Sequence, residues 1–279
     1  MEIVQFAANL MAVATDKGFR LRHSPVWQFP AVAPSLHQRG DVEVTRQMLA
    51  AAIYAGYRVN QKDDGSTETP PEGSLLRYIY SLANMYHTTH STVLVQRRAE
   101  ERLREGGHDL GAARSRQVVE EEEGHDLLAL RDLAAFGVRA EEFVERFQPK
   151  GARALAVLYQ RICESEQPIG VFGYVYVLER LALFSTAESI AEVERLIPKG
   201  IKATRCMRVH SSIGSDTQHV EEFFHFIASL DVADRAAIIR AAFDTSCIVH
   251  ADHDDYPGDA VMCQALVELG ADYLFSDRV

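Results

Sequence analysis

The sequence predicts an all-α, single-domain bundle of about seven or more helices over residues 1–279. Apolar residues recur at helical spacing over long stretches. Most gaps between these stretches contain glycine, proline or helix-capping residues, and no alternating run of β-branched residues between turn pairs marks a strand. Hydrophobic residues make up 47% and charged residues 25%, which is typical of a folded globular protein.

The N-terminal 40 residues are expected to form a short helix over 1–16 and then an irregular arm over 18–40. Breaking residues are frequent in the arm: Pro25, Pro30, Pro34 and Gly40. A helix over 42–57 follows, because Val44 and Met48 share one face with their apolar neighbours. The polar stretch 60–73, which contains two prolines, is predicted to be a loop.

The remaining sequence is predicted to be almost entirely helical. Residues of about 75–250 form the expected helical core, and 258–275 form a C-terminal helix. Glycines end several helices, and Ser185-Thr-Ala-Glu188 and Ser215-Asp-Thr-Gln218 have the form of capping boxes. The predicted helices cover 74–105, 109–136, 140–147, 151–165, 168–184, 186–197, 215–229, 233–250 and 258–275.

The net charge and the spacing of the cysteines indicate which classes of binding partner and which cellular compartment to expect. The formal net charge of -11 argues against nucleic acid or an anionic membrane as the main partner, because both require a basic face. The four cysteines form no C-x-x-C pair, so reduced thiols are expected. The first residues lack a basic region, and no run reaches the ~20 apolar residues that span a bilayer. These features predict a cytoplasmic protein.

The first candidate metal pair is Glu122-Glu-Gly-His125. Residues three apart share a helix face, and a carboxylate with an imidazole at this spacing is the ligand pair of di-iron carboxylate bundles. Glu121 is four residues before His125, so it competes with Glu122 by geometry. Spacing alone does not show that this pair binds a metal, because 40 acidic residues and 11 histidines give one or two such pairs by chance. Two further pairs in the chain, Asp216-x-x-His219 and Glu222-x-x-His225, have the same spacing.

Glu179 is informative because of its surroundings. It lies in a run, 170–184, that is apolar nearly all round, which predicts a central helix. An ionised carboxylate in such a helix is costly unless it is paired or bound to a cation. The alternative is an exposed Glu179–Arg180 stripe along one edge of the helix. A metal ion shared with His125 and His219 would explain the buried carboxylate of Glu179.

The fourth candidate element runs from Arg208 to Glu222. His210 and His219 are nine residues apart, so on one continuous helix they would point in nearly opposite directions. Gly214 and the adjacent serines permit a break, after which Asp216 and His219 would lie on a new helix. The alternative is a polar turn with incidental histidines. His250 and His253 are interpreted as part of a solvated turn.

Together, these residues resemble the haem-oxygenase-like di-iron oxidases and oxygenases over about residues 75–250. The intervals of 57 residues from Glu122 to Glu179 and 40 from Glu179 to His219 are typical of that family. The sequence departs from the family between His210 and Asp216, where five residues replace the usual three. The resemblance implies a haem-oxygenase-like fold and these metal ligands: Glu122, His125, Glu179, His210, Asp216 and His219.

The resemblance also implies about two iron ions per chain with O2 as co-substrate. A small amino-acid-derived or fatty-acid-like substrate would undergo N-oxygenation, desaturation or oxidative C–C cleavage in specialised metabolism. The resemblance allows for an external electron donor and for a homodimer. Two alternatives stay open: a thiaminase-like or cofactor-free helical enzyme, and a non-catalytic helical binding protein. Candidates for contacts to the ligands or the substrate are Tyr86, His87, His90 and Tyr176.

Overall fold

The computed structural model begins with a three-stranded antiparallel sheet, so the helix expected over 1–16 is wrong. The strands follow chain order: β1 (Glu2–Ala7), β2 (Leu10–Thr15) and β3 (Gly18–His23). Val4 and Phe6 are buried while Ile3 and Ala7 are exposed, which is the alternation of a half-buried strand. Two-residue turns join the strands, and the pattern is too short to stand out among the surrounding apolar residues.

The structure describes residues 1–23, 40–60, 74–211, 216–251 and 253–278, without the side chains of 216–219 and 276–278. Most of the arm expected over 18–40 and nearly all of the loop expected over 60–73 lie outside this description. The described part contains twelve α-helices: α1 (Val42–Asn60), α2 (Leu75–Glu105), α3 (Asp109–Glu122), α4 (Asp126–Ala135), α5 (Ala140–Arg146), α6 (Lys150–Cys163), α7 (Val171–Ala182), α8 (Ala187–Leu196), α9 (Arg205–Val209), α10 (Asp216–Ser229), α11 (Val232–Val249) and α12 (Asp259–Glu268).

The all-α fold class is confirmed, since helices dominate and the sheet is small. Four local predictions need correction. The helix expected over 109–136 is interrupted between α3 and α4, α9 was not expected, and the C-terminal helix ends at Glu268, before a 3-10 turn over Asp272–Arg278. The capping box before α8 uses Thr186 and Ser189, one residue later than the sequence suggested.

Helix α7 lies at the centre of the bundle. It packs against α6, α10 and α11, and every residue from Val171 to Val177 is buried. Gly173 permits this packing: a Cβ there would lie 2.1 Å from the Ile238 carbonyl oxygen and 2.7 Å from the Ala242 amide nitrogen. The close approach of α7 and α11 therefore depends on the absence of a side chain at this position.

The other helices surround this centre. Helix α2 packs against α3, α4 and α6, whereas α1 packs against α11 and the N-terminal sheet. Among the described residues, no single helix has both the length and the apolarity needed to cross a bilayer. Pro168–Ala182 and Ala187–Leu196 meet these criteria only when they are taken together, and the two segments are bent by 69° relative to each other.

Candidate metal centre

Glu122 and His125 meet across a helix break rather than along one helix face. Helix α3 ends at Glu122, and His125 is the residue just before α4. Gly124 between them has a φ of +82°, a left-handed conformation that glycine adopts without steric cost. The His125 amide donates to the Glu122 carbonyl at 3.1 Å, and His125 Nδ1 lies 3.2 Å from Glu122 Oε2. The expected pairing is present, but a turn produces it.

His210 joins this pair from a different part of the chain. It follows the last residue of α9, and its ring meets that of His125 edge to face, with centroids 4.9 Å apart. One ligand atom from each of Glu122, His125 and His210 lies within 4.8 Å of the other two. All three side chains are half-buried. One carboxylate and two imidazoles at this separation suit a transition-metal ion, and imidazole with carboxylate is a ligand set found on iron.

Asp132 on α4 fixes the start of α9 and therefore the position of His210. Its buried carboxylate accepts hydrogen bonds from the Cys206 amide and from the Arg205 guanidinium, each at 2.9 Å. Burial is the largest influence and raises the pKa of Asp132, although both donors oppose the shift. No local pattern in the sequence could predict this contact, because its partners are more than 70 residues apart.

Glu179 occupies the buried position on α7 that the sequence predicted. It is 8% exposed, whereas the neighbouring Arg180 is exposed, so the Glu179–Arg180 surface stripe is not formed. Glu179 lines the same cavity as Glu122 and His210. The carboxylate of α7 therefore faces the space beside the three clustered ligands.

The cavity has a volume of about 280 Å³, and apolar and threonine side chains form most of its wall. Helix α2 contributes Asn84, Thr88 and Thr92 at a spacing of four residues, which places them on one face. This four-residue spacing of polar side chains on α2 is the sequence pattern from which that side of the cavity could have been predicted. The lining residues are Asn84, Met85, Thr88, Thr89, Thr92, Glu122, Tyr174, Val175, Leu178, Glu179, Leu181, Ala182, Ser185, Cys206, Met207 and His210.

The competing acidic residues have other contacts. Glu121 accepts a hydrogen bond from Gln117 at 2.8 Å, and its Oε1 lies 4.0 Å from Nη1 of the buried Arg114. Glu222 lies 3.5 Å from the same guanidinium, and His225 is exposed. Glu122 is therefore the glutamate that joins the histidines, and the Glu222–His225 pair is directed elsewhere.

Two predicted ligands are located only by their backbone. Asp216 and His219 lie in the first turn and a half of α10, but their side chains fall outside the described residues. Helix α10 packs against α7, the helix that carries Glu179. Their role as metal ligands stays a prediction.

The four candidates for contacts to ligands or substrate are not among the described residues that line the cavity. His87 Nε2 lies 2.9 Å from the Val144 carbonyl and 3.1 Å from that of Phe147, which ties α2 to α5. Tyr86 stacks on His90, and His90 Nδ1 lies 2.8 Å from Oδ2 of Asp126, the residue after His125. Tyr176 lines a separate recess between α1, α7 and α10.

Two cavity residues have shifted acidities. Burial raises the pKa of the Cys206 thiol to about 12, with Asp132 and Glu122 adding to the shift. Burial also raises the pKa of Tyr174 well above its usual value. Both groups therefore stay protonated at neutral pH, and neither is a ready anionic nucleophile.

A solved structure shares this architecture. It is a crystal structure of a domain of unknown function with a haem oxygenase-like fold from Shewanella denitrificans OS217, with 17% identity and a TM-score of 0.51. The alignment covers 84% of this chain and 93% of that domain. No family model and no curated protein sequence matched the chain. The haem-oxygenase-like fold is thus supported, and the similarity carries no activity with it.

Proposed function

We propose that the protein is a non-haem di-iron oxidase or oxygenase that uses O2 to oxidise a small organic substrate. The observation that carries this proposal is the cluster of Glu122, His125 and His210, of which Glu122 and His210 line one cavity with the buried Glu179. These residues would hold iron together with Asp216 and His219. When bound, a ferrous pair supplies the electrons that reduce dioxygen.

The donor set and its setting favour iron over a structural cation. Imidazole and carboxylate ligands suit iron, and no cysteine is needed in the set. Glu179 lies in a helix in which every residue from Val171 to Val177 is buried, where a bound cation offsets the cost of an ionised carboxylate. His125 and His210 stand at helix ends, so each imidazole is oriented by the backbone around it rather than by a continuous helix face.

The cavity wall favours an apolar portion of the substrate. The hydroxyls of Thr88 and Thr89 donate to carbonyls of their own helix at 2.8 and 2.9 Å, which leaves methyl groups and acceptor lone pairs for the cavity. Among the described lining residues there is no lysine or arginine. We infer that an aliphatic or aromatic part of an amino-acid-derived or fatty-acid-like molecule lies beside the metals, where it would be desaturated, N-oxygenated or cleaved.

A covalent form of the metal-free alternative would use Cys206, the cysteine that lines the cavity. A covalent mechanism would need its thiolate, and burial raises the pKa of this thiol to about 12. The thiol is therefore a poor nucleophile at neutral pH. A non-catalytic binding protein would have no requirement for two imidazoles and a carboxylate in one cluster.

Anaerobic loading with ferrous iron tests the proposal. We expect about two irons per chain and an absorbance change when O2 is admitted. His210→Ala should lose most of the bound iron, whereas His225→Ala, at the exposed histidine of a pair with the same spacing, should retain it. Equal iron content in both variants, or an activity that chelators leave unchanged, would overturn the proposal and favour the metal-free alternative.

A further inference from the structure

A basic segment precedes His210 in the chain. Residues 195–208 contain no acidic residue, although the whole protein has 40 acidic and 29 basic residues and a net charge of -11. Four of its basic residues border a surface recess of about 570 Å³, whose lining also includes Glu194, Gly200 and Thr204. The five basic residues of the segment are Arg195, Lys199, Lys202, Arg205 and Arg208.

All five cations are exposed, and two are neutralised. Arg205 pairs with Asp132 at 2.9 Å, and Arg208 pairs with Glu194 at 2.6 Å. In the part of the chain that the structure describes, no acidic side chain lies within ion-pair distance of the other three, Arg195, Lys199 and Lys202. The basic segment is therefore a positively charged patch on an acidic protein, which attracts anionic partners selectively to this position.

The short helix α9 connects this patch to the candidate metal centre. Arg205 and Arg208 are exposed on its outer side, whereas Cys206 and Met207 line the cavity. His210 follows the helix directly, about 8 Å along the axis from Arg205 at 1.5 Å per residue. A partner bound to the patch would thus lie within one short helix of a candidate iron ligand.

We propose that the basic segment is the docking surface for an acidic one-electron carrier protein of the iron–sulfur or flavin type. This inference rests on the proposed function, in which the iron pair must be reduced before O2 reacts. Each docked carrier would supply one electron and would itself be oxidised by one electron. Two docking events would therefore reduce a bound iron pair by two electrons, with no covalent bond formed or broken.

Charge complementarity favours a small protein over an extended polyanion. The segment runs from the last turn of α8 through one loop to the short helix α9, and the protein as a whole carries a net charge of -11. A nucleic acid or a broad anionic membrane would therefore meet repulsion beyond the patch. A compact acidic carrier can restrict its contact to the basic segment. Electrostatic steering of this kind mainly increases the association rate and is weakened by salt.

The test measures binding separately from catalysis. An oxidised, acidic [2Fe–2S] ferredoxin is titrated into the metal-free protein by calorimetry at low salt, and association rates are measured by stopped flow. Lys199→Glu with Lys202→Glu should lower the association rate by about tenfold or more. Lys17→Glu with Arg20→Glu, an equal charge reversal on exposed residues of the N-terminal sheet, should change it far less.

Each outcome is decisive. The docking surface is supported if the association rate with ferredoxin falls only in the Lys199/Lys202 variant and if salt lowers the association rate of the wild type. Absence of saturable binding, equal loss in both double variants, or equally strong lysine-dependent binding to phosphatidylglycerol-containing vesicles overturns it. Iron content and reduction by a small chemical reductant, measured in parallel, should be unchanged in the Lys199/Lys202 variant. A wild-type protein that takes up no iron contradicts the proposed function, whereas iron uptake without ferredoxin binding contradicts the docking proposal alone.

Discussion

The rings of His125 and His210 meet edge to face with centroids 4.9 Å apart and an angle of 80° between their planes. His125 stands immediately before α4 and His210 immediately after α9. Neither imidazole therefore has its direction fixed by the interior of a helix. The backbone at these two helix ends, and the residues that hold the ends in place, determine whether the ligand atoms converge.

The choice between Glu121 and Glu122 can be tested by removing one charge at a time. Glu122→Gln should reduce iron content by about one ion per chain, because this carboxylate clusters with both histidines. Glu121→Gln should leave the iron content near the wild-type value, because Glu121 contacts Gln117 and lies near Arg114. Metal analysis after anaerobic loading gives the result, and a greater loss in the Glu121 variant would contradict the assignment.

Substitution of Gly124 should disturb the turn between Glu122 and His125. A Cβ at this position would have open space around it, so the cost comes from the φ of +82° alone. Gly124→Ala should lower the free energy of unfolding by about 1–2 kcal/mol. Gly124→Asn should cost less, because asparagine adopts this conformation more readily. Urea denaturation measures both effects, and the alanine variant should also bind iron more weakly.

The stability contribution of Asp132 should fall as the pH rises. Burial raises its pKa in the folded protein above the ordinary value of about 4, so the folded state binds the proton more tightly than the unfolded state. The associated stability is present below pH ~4 and is lost as the pH rises through the higher folded pKa. Wild type should lose stability relative to Asp132→Asn over this range in urea denaturation. If the free energies of unfolding of wild type and Asp132→Asn changed with pH in parallel, the pKa of this carboxylate would not be raised in the folded protein.

The sequence predicted the helices well because long amphipathic or apolar stretches carry a strong periodic signal. The buried Glu179 was predicted for the same reason, since one acid stood out in an apolar run. The N-terminal sheet was missed because each strand has six residues, and so few alternations resemble a short apolar helix. The break at Gly124 was missed because the sequences on both sides favour helix.

The position of His210 required tertiary information. Helix α9 has five residues, too few for a periodic pattern, and its start is capped by Asp132 from a distant helix. Likewise, the cavity wall combines faces of α2 and α7 with α9, and pairing of these faces depends on packing rather than on local sequence. The ligand types were therefore predictable, while the way in which the chain brings them together was not.

Gly173 should be the glycine least tolerant of substitution in the core. A Cβ would overlap the backbone of α11, which cannot move as a side chain can, so Gly173→Ala should destabilise the protein by about 4 kcal/mol or more. Gly106→Ala is the matched control, because its Cβ would meet the nearest atom at 3.4 Å and its φ is -80°. Thermal and urea unfolding should show a large loss only for Gly173→Ala.

Filling the cavity from the α2 side should separate substrate binding from iron binding. Thr88 lines the cavity on the wall formed by α2, which carries none of the proposed ligands, so Thr88→Phe should leave iron content and the slow reaction with O2 nearly unchanged. The same variant should lose substrate-triggered acceleration of O2 consumption, by about tenfold or more, across a panel of amino acids and fatty acids. Leu94→Phe, an exposed position on the same helix, controls for the added aromatic ring and should behave as wild type.

If Thr88→Phe keeps full acceleration with a substrate that activates the wild type, that substrate binds outside this cavity. The assignment of the apolar wall to substrate binding would then be wrong even if both irons bind as proposed.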